Sequence, residues 1–195
     1  PGANVNQISA KSSIHQPLVI MGASGSGKSS LFNCLLGFLP YEGSIKIDGV
    51  EARDVSSESI NSNITVLLQN DYLFNSSIRE NLRIANQSAS DEQLLAALDD
   101  VELRDLITSL PKGLDTHIGA YGYNFSGGEK QRIRLARVLL RSTPIYLLDE
   151  PFEFLDSGQA NRLSNLLLNR LKNKVVVIIS HLEIEGVENV INFSK

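Results

Sequence analysis

A strand-sized apolar run, residues 17–21, leads into Gly22-Ala23-Ser24-Gly25-Ser26-Gly27-Lys28-Ser29, and an amphipathic stretch, 28–38, leads out of it. No other feature limits the fold as strongly. The segment follows the pattern G-x-x-x-x-G-K-[ST]. Glycines at these positions let the backbone turn tightly, with several N–H groups aimed inward at anionic oxygens. The helix that follows favours negative charge at its N-terminus. Lys28 adds a mobile ammonium for the β- and γ-phosphates of a nucleotide, and the Ser29 hydroxyl suits Mg²⁺. A Gly/Ser linker would not normally sit between a buried strand and an amphipathic helix.

The rest of the chain reads as alternating strands and helices. Strands are expected at 44–48, 64–68, 145–148 and 175–179, and helices at 28–38, 127–141 and 159–171. Between 76 and 110 the pattern is helical, with Ser90 and Gln93 placed to open one helix. Residues 113–124 form a loop rich in Gly and Tyr, and 1–16 a polar terminus. Such alternation implies a largely parallel sheet.

Composition narrows the function. With 195 residues, the chain is long enough for one sizeable core. The formal net charge of -4 argues against a broad surface for nucleic acid. No run of apolar residues is long enough to span a membrane, and no signal peptide is visible. The single cysteine, Cys34, allows no internal disulfide and reads as a small buried residue on a helix. His15 and His117 read as solvated side chains.

Two further segments carry chemistry. Ile145-Tyr146-Leu147-Leu148-Asp149-Glu150 is an apolar strand ending in two acids, and parallel sheets gather ligands at the carboxyl ends of their strands. There Asp149 can hold Mg²⁺ through water and Glu150 can polarise a water for in-line attack. The second segment is Phe125-Ser126-Gly127-Gly128-Glu129-Lys130-Gln131-Arg132. A serine and two glycines at a helix start offer bare N–H groups, a hydroxyl and a helix dipole. Alone it would also fit an ordinary helix cap, with Ser126 and Glu129 forming a capping box.

Taken together, these residues resemble the ABC ATPase family. Ser126-Gly127-Gly128-Glu129 looks like its signature motif, Gln69 like its Q-loop glutamine, and Glu150-Pro151 with Leu155-Asp156 like the catalytic glutamate leading into the D-loop. His181 looks like the switch histidine, and the motifs run in order from about Leu18 to His181. Residues 73–82 and 110–116 resemble the exporter type. Residues 149–156 look most like the C-type half of the heterodimeric thiol exporters linked to cytochrome bd assembly.

The resemblance implies an α/β fold: a P-loop NTPase core with a mainly parallel sheet, a small antiparallel β part and an inserted α-helical subdomain. Residues 1–195 would form one ABC ATPase domain, 1–75 and 141–195 being the core and 76–140 the helical signature subdomain. ATP would be held by Gly22, Ala23, Ser24, Gly25, Ser26, Gly27, Lys28, Ser29, Ser30 and Gln69, and by Ser126, Gly127, Gly128 and Glu129. Ser29, Gln69 and Asp149 would hold Mg²⁺, and Glu150, His181, Gln69 and Lys28 would serve catalysis. The expected function is ATP hydrolysis that powers export through ATP-driven dimerisation. The expected partners are a second nucleotide-binding domain, identical or different, and a transmembrane domain outside this chain. The latter would place the chain on the cytoplasmic face of the cell membrane.

Some features depart from the family pattern. No aromatic residue precedes Met21, where the adenine-stacking side chain is expected, and 116–122 lack the acids usual before the signature. Two alternatives compete with the transport reading. A soluble ABC ATPase acting on DNA would usually insert long coiled coils between Gln69 and the signature, and here that gap is short. A regulatory module that binds ATP without turnover would not need Lys28, Asp149, Glu150 and His181 together.

Overall fold

Valine, isoleucine and leucine crowd three short runs so densely that both faces of each must be buried, the condition met inside a parallel sheet. The computed structural model, which describes residues 9–23, 25–119 and 122–193, bears this out. The chain runs through β1 (Leu18–Gly22), α1 (Lys28–Leu35), β2 (Lys46–Ile47), β3 (Val50–Glu51), α2 (Ser57–Asn63), β4 (Ile64–Leu67) and α3 (Ile78–Arg83). It continues through α4 (Asp91–Asp100), α5 (Arg104–Ser109), α6 (Gly127–Leu140), β5 (Ile145–Asp149), α7 (Ser157–Arg170), β6 (Val175–Ile179) and β7 (Val190–Phe193). By its internal contacts the chain divides into two units, Pro1–Leu68 with Thr143–Glu150 and Lys172–Lys195, and Gln69–Ser142 with Pro151–Leu171.

The first unit holds a five-stranded sheet in the order β4-β5-β6-β1-β7, every neighbouring pair parallel. β1, β5 and β6 occupy the interior and are the most apolar. Ile20, Leu147, Leu148, Ile178 and Ile179 are wholly buried. Phe32 and Leu36 from the α1 segment and Ile60 from α2 pack with Leu18, Ile20, Ile64 and Leu147 into one cluster. Fully burying a side chain of this size is worth about 1.5–3 kcal/mol. A separate two-stranded sheet pairs β2 antiparallel with β3, Ile47 opposite Val50.

Differences from the sequence expectations are local. Helix α1 ends at Leu35 rather than 38, because Phe38 N–H turns back to the Asn33 carbonyl at 2.8 Å. The expected strand 44–48 contracts to β2. Strand β7 and helix α2 lie outside those expectations. Cys34 is only half-buried, although burial still pushes its thiol up.

The second unit is helical, and its longer helices start where side chains replace the missing backbone partners. Ser77 with Glu80, Ser90 with Gln93, and Ser126 with Glu129 form capping boxes on α3, α4 and α6. Asp156 caps α7 by accepting the Gln159 N–H at 2.9 Å. Leu94, Ala97 and Leu98 are buried at one-face helical spacing, and α3 and α4 pack on α6. This unit contains the expected helical stretch 76–140 and also takes in 69–75, 141–142 and Pro151–Leu171. Polar bonds link α7 to the turn around Asp100 and Glu102. Glu102 accepts from Arg162 at 2.7 and 3.0 Å and from Gln159 at 3.1 Å, while Arg170 pairs with Asp100 at 2.5 Å. Among the described residues, no helix is long and apolar enough to cross a membrane.

Candidate functional site

Sheet register brings three chain segments off one edge. Ile20 of β1 lies opposite Ile179 of β6, which lies opposite Asp149 of β5. One step further, Ser180 N–H donates to the Ile20 carbonyl at 3.0 Å and Glu150 N–H to the Ile179 carbonyl at 2.9 Å. The loop after β1, the acids after β5 and the histidine after β6 therefore leave neighbouring strands at their carboxyl ends, where open α/β sheets place ligands.

The glycine-rich loop is anchored from two sides. A Cβ on Gly22 would lie 2.5 Å from the carbonyl oxygen of Phe193, so only glycine lets β7 close against the loop. The Lys28 ammonium is buried and donates to the carbonyls of Gly22 at 2.7 Å and Ala23 at 2.9 Å. The Ser26 hydroxyl is buried without a hydrogen-bond partner among the described residues. An ammonium resting on loop carbonyls and a hydroxyl with spare donor capacity, at the start of α1, fit the oxygens of a triphosphate. Ser29 is exposed and Ser30 half-buried in the first turn of α1, and Asp149 is buried at the end of β5. Hydroxyl and carboxylate oxygens are the hard donors that Mg²⁺ prefers. Gly25 and Gly27 lie in the described part of the loop, whereas Ser24 lies outside the described residues.

Glu150 is the most distinctive residue of this edge. Its φ of 49° lies in the left-handed region, which costs a non-glycine residue about 1–3 kcal/mol. In that conformation its Oε2 meets the His181 ring Nδ1 at 2.7 Å and accepts the His181 backbone N–H at 3.3 Å. The carboxylate side chain is 12% exposed and the imidazole 56%. A shielded carboxylate is thus held by an imidazole that remains open to solvent.

Gln69 and residues 126–129 belong to the second unit and are described within it. Gln69 is exposed and is the first residue of that unit. Ser126 accepts the Glu129 N–H at 3.2 Å, while the Glu129 carboxylate accepts the Ser126 N–H at 2.8 Å. Phe154, at a φ of 66°, lies against both signature glycines. A Cβ on Gly128 would come 2.9 Å from the Phe154 carbonyl oxygen, so this glycine admits a close backbone approach. A cavity of about 570 Å³ opens here, with Arg132, Asp156 and Gln159 on its walls.

Sequence reasoning missed Phe193 as the wall behind Gly22, Phe154 as the contact of the glycines, and the buried pair Arg137 and Asn81. Apolar residues at 190, 191 and 193 were a usable signal for β7. A charge between Ala136 and Val138 on a buried face of α6 was one for Arg137.

The family model described as "ABC transporter" matches residues 5–153. A "Probable ABC transporter ATP-binding/permease protein" of Haemophilus influenzae is 41% identical over 165 residues, covering 84% of this chain and 30% of that protein. The "Glutathione/L-cysteine transport system ATP-binding/permease protein CydD" of Escherichia coli is 39% identical over 166 residues, covering 85% of this chain and 28% of its own length. This chain therefore spans less than a third of these relatives. A solved structure described as a bacterial Atm1-family ABC exporter with ATP bound superposes with a TM-score of 0.79 at 33% identity. That match covers 86% of this chain and 30% of the exporter.

Proposed function

Because the chain belongs to the ABC transporter family, as an ATP-binding domain of the exporter type, we propose that it hydrolyses ATP with the residues at the carboxyl edge of its sheet. The observation that carries this reading is the Glu150–His181 pair at 2.7 Å, formed after β5 and after β6, the latter next to the strand that feeds the phosphate loop. Lys28 exchanges its bonds to the Gly22 and Ala23 carbonyls for the β- and γ-phosphates of ATP. Residues 22–27 surround those phosphates with backbone N–H groups, and Ser30 supports them from α1. Ser29, Asp149 and Gln69 would hold Mg²⁺, which neutralises phosphate charge when bound. Glu150 takes the proton of the attacking water, and His181 keeps that carboxylate in position and offers its ring to the γ-phosphate.

Ser126, Gly127, Gly128 and Glu129 serve the nucleotide of a second domain. Gln69 with Tyr72, Leu73 and Phe74 forms the joint to a transmembrane partner on the cytoplasmic face of the membrane. The exposure of Tyr72 at 76% and Phe74 at 55% supports that role, since large apolar side chains are available for contact.

The test is phosphate release with Mg²⁺ and ATP, wild type beside Glu150→Gln. The variant should keep ATP binding and lose turnover by about 10²–10⁴-fold, the usual weight of general-base catalysis. Wild-type turnover in Glu150→Gln would put the base elsewhere.

A further inference from the structure

In the second unit a buried cation is spent on backbone rather than on the surface. Arg137 lies on α6, ten residues after Gly127, which is about 15 Å along the helix. It is 8% exposed. Its Nε donates to the Asn81 carbonyl at 2.8 Å, one terminal nitrogen to the Tyr72 carbonyl at 2.6 Å, and the other to the Asn81 side-chain oxygen. Asp71 lies 3.7 Å from the guanidinium, and the Phe74 ring centroid 5.8 Å from its carbon. Asn81, wholly buried on α3, continues the contact. It accepts the Phe74 N–H at 2.8 Å and donates to the carbonyls of Phe74 and Ser77, both at 2.9 Å.

Tyr72 and Phe74 thus have their backbone held from inside while their side chains stay exposed. Burying a guanidinium is costly, and an apolar residue would fill the same space with less desolvation. What the guanidinium adds is a planar fork that fixes several acceptors in one geometry. Its mooring on a continuous helix ties that geometry to residues 126–128.

We propose that Arg137 is a positioning residue that makes the segment after Gln69 and the signature end of α6 move as one body. The inference rests on the proposed role of that segment as the joint to a membrane partner. A displacement of Tyr72 by the partner pulls the fork, and α6 carries the shift to Ser126. In the reverse direction, capture of nucleotide at the signature stiffens the joint.

The test uses the full-length protein in nanodiscs, followed by hydrogen–deuterium exchange with and without Mg²⁺ and ATP. In the wild type, peptides covering 70–76 and 125–130 should gain protection together. Arg137→Lys keeps the charge but loses the fork. It should retain the response at 125–130 and lose that at 70–76. Its kcat should fall by roughly 2- to 30-fold, with KM for ATP nearly unchanged, the size expected for an interrupted coupling network. Asp71→Asn, at a partly exposed site, should show the same split more weakly and guards against a lysine variant that does not fold. Wild-type segments that respond independently, or an intact joint response in both variants, would overturn the proposal. Cross-linking from Tyr72→Cys to the membrane partner tests the underlying reading separately. Cross-links with an intact joint response in both variants reject the latch alone, whereas absent cross-links reject the joint.

Discussion

At the scale of single residues, Lys28 and Glu102 each give a direct test, one of the proposed phosphate contact and one of stability. Lys28 is a buried ammonium whose donors rest on two carbonyls of its own loop, so its charge is already placed where phosphate would arrive. Lys28→Ala removes charge-assisted bonds worth about 1.5–3 kcal/mol, so ATP should bind roughly 10- to 150-fold more weakly by calorimetric titration. Unchanged affinity would remove the phosphate loop from the site. Glu102 offers a pH test. Its bonds from Arg162 and Gln159 lower its pKa to about 2. A depressed acid stabilises the fold above its ordinary value of about 4.5 and loses that contribution as pH falls through 2. Wild type should therefore melt above Glu102→Gln at neutral pH. The gap should narrow between about pH 4.5 and 2 and close below, and a gap that persists in acid would contradict the ion pair. Solvent at this surface keeps the effect small.

At the scale of elements, the start of α6 shows two glycines with different jobs. Alanine favours a helix over glycine by about 1 kcal/mol. At Gly127 the added Cβ would meet Phe154 ring carbons at 3.4 Å, a side chain that can yield, so Gly127→Ala should be near neutral. At Gly128 it would meet the Phe154 backbone oxygen at 2.9 Å, which cannot yield cheaply. Overpacking of that kind costs about 1–3 kcal/mol, so Gly128→Ala should lose stability despite the helix preference. Urea unfolding separates the two, and a stabilised Gly128→Ala would mean that the Phe154 contact is not maintained.

At the scale of the whole molecule, the signature and the phosphate loop belong to different units of the chain. We propose that ATP is enclosed between two such domains, the signature of one facing the loop of the other. Glu150→Gln should be monomeric without nucleotide and dimeric with ATP when read by light scattering, and adding Ser126→Arg should abolish the dimer. Dimers that survive the added arginine would show that the signature does not face nucleotide. If the natural partner is a different subunit, the same shift should require its domain in the mixture.

Local chemistry made much of this legible in the sequence. The phosphate loop and the acids after β5 could be named because strand, turn and helix signals act over a few residues, whereas the histidine after β6 was named through the family resemblance. The parallel sheet followed from strands that alternate with helices along the chain. Ser126 with Glu129 spelled its own capping box. Other features depended on distant pairings that local periodicity does not encode. Strand β7 pairs with β1 at the sheet edge, with Phe193 opposite Gly22, and α7 lies in the helical unit, where Glu102 and Asp100 bind its arginines. Glu150 entered the left-handed region where its carboxylate meets His181, and Arg137 found the carbonyls of Tyr72 and Asn81. The sequence determined which groups are candidates for phosphate chemistry, since that depends on residue type and neighbours. The tertiary structure decided which of them touch, because hydrogen bonds and close contacts exist only once remote segments are brought within a few ångströms.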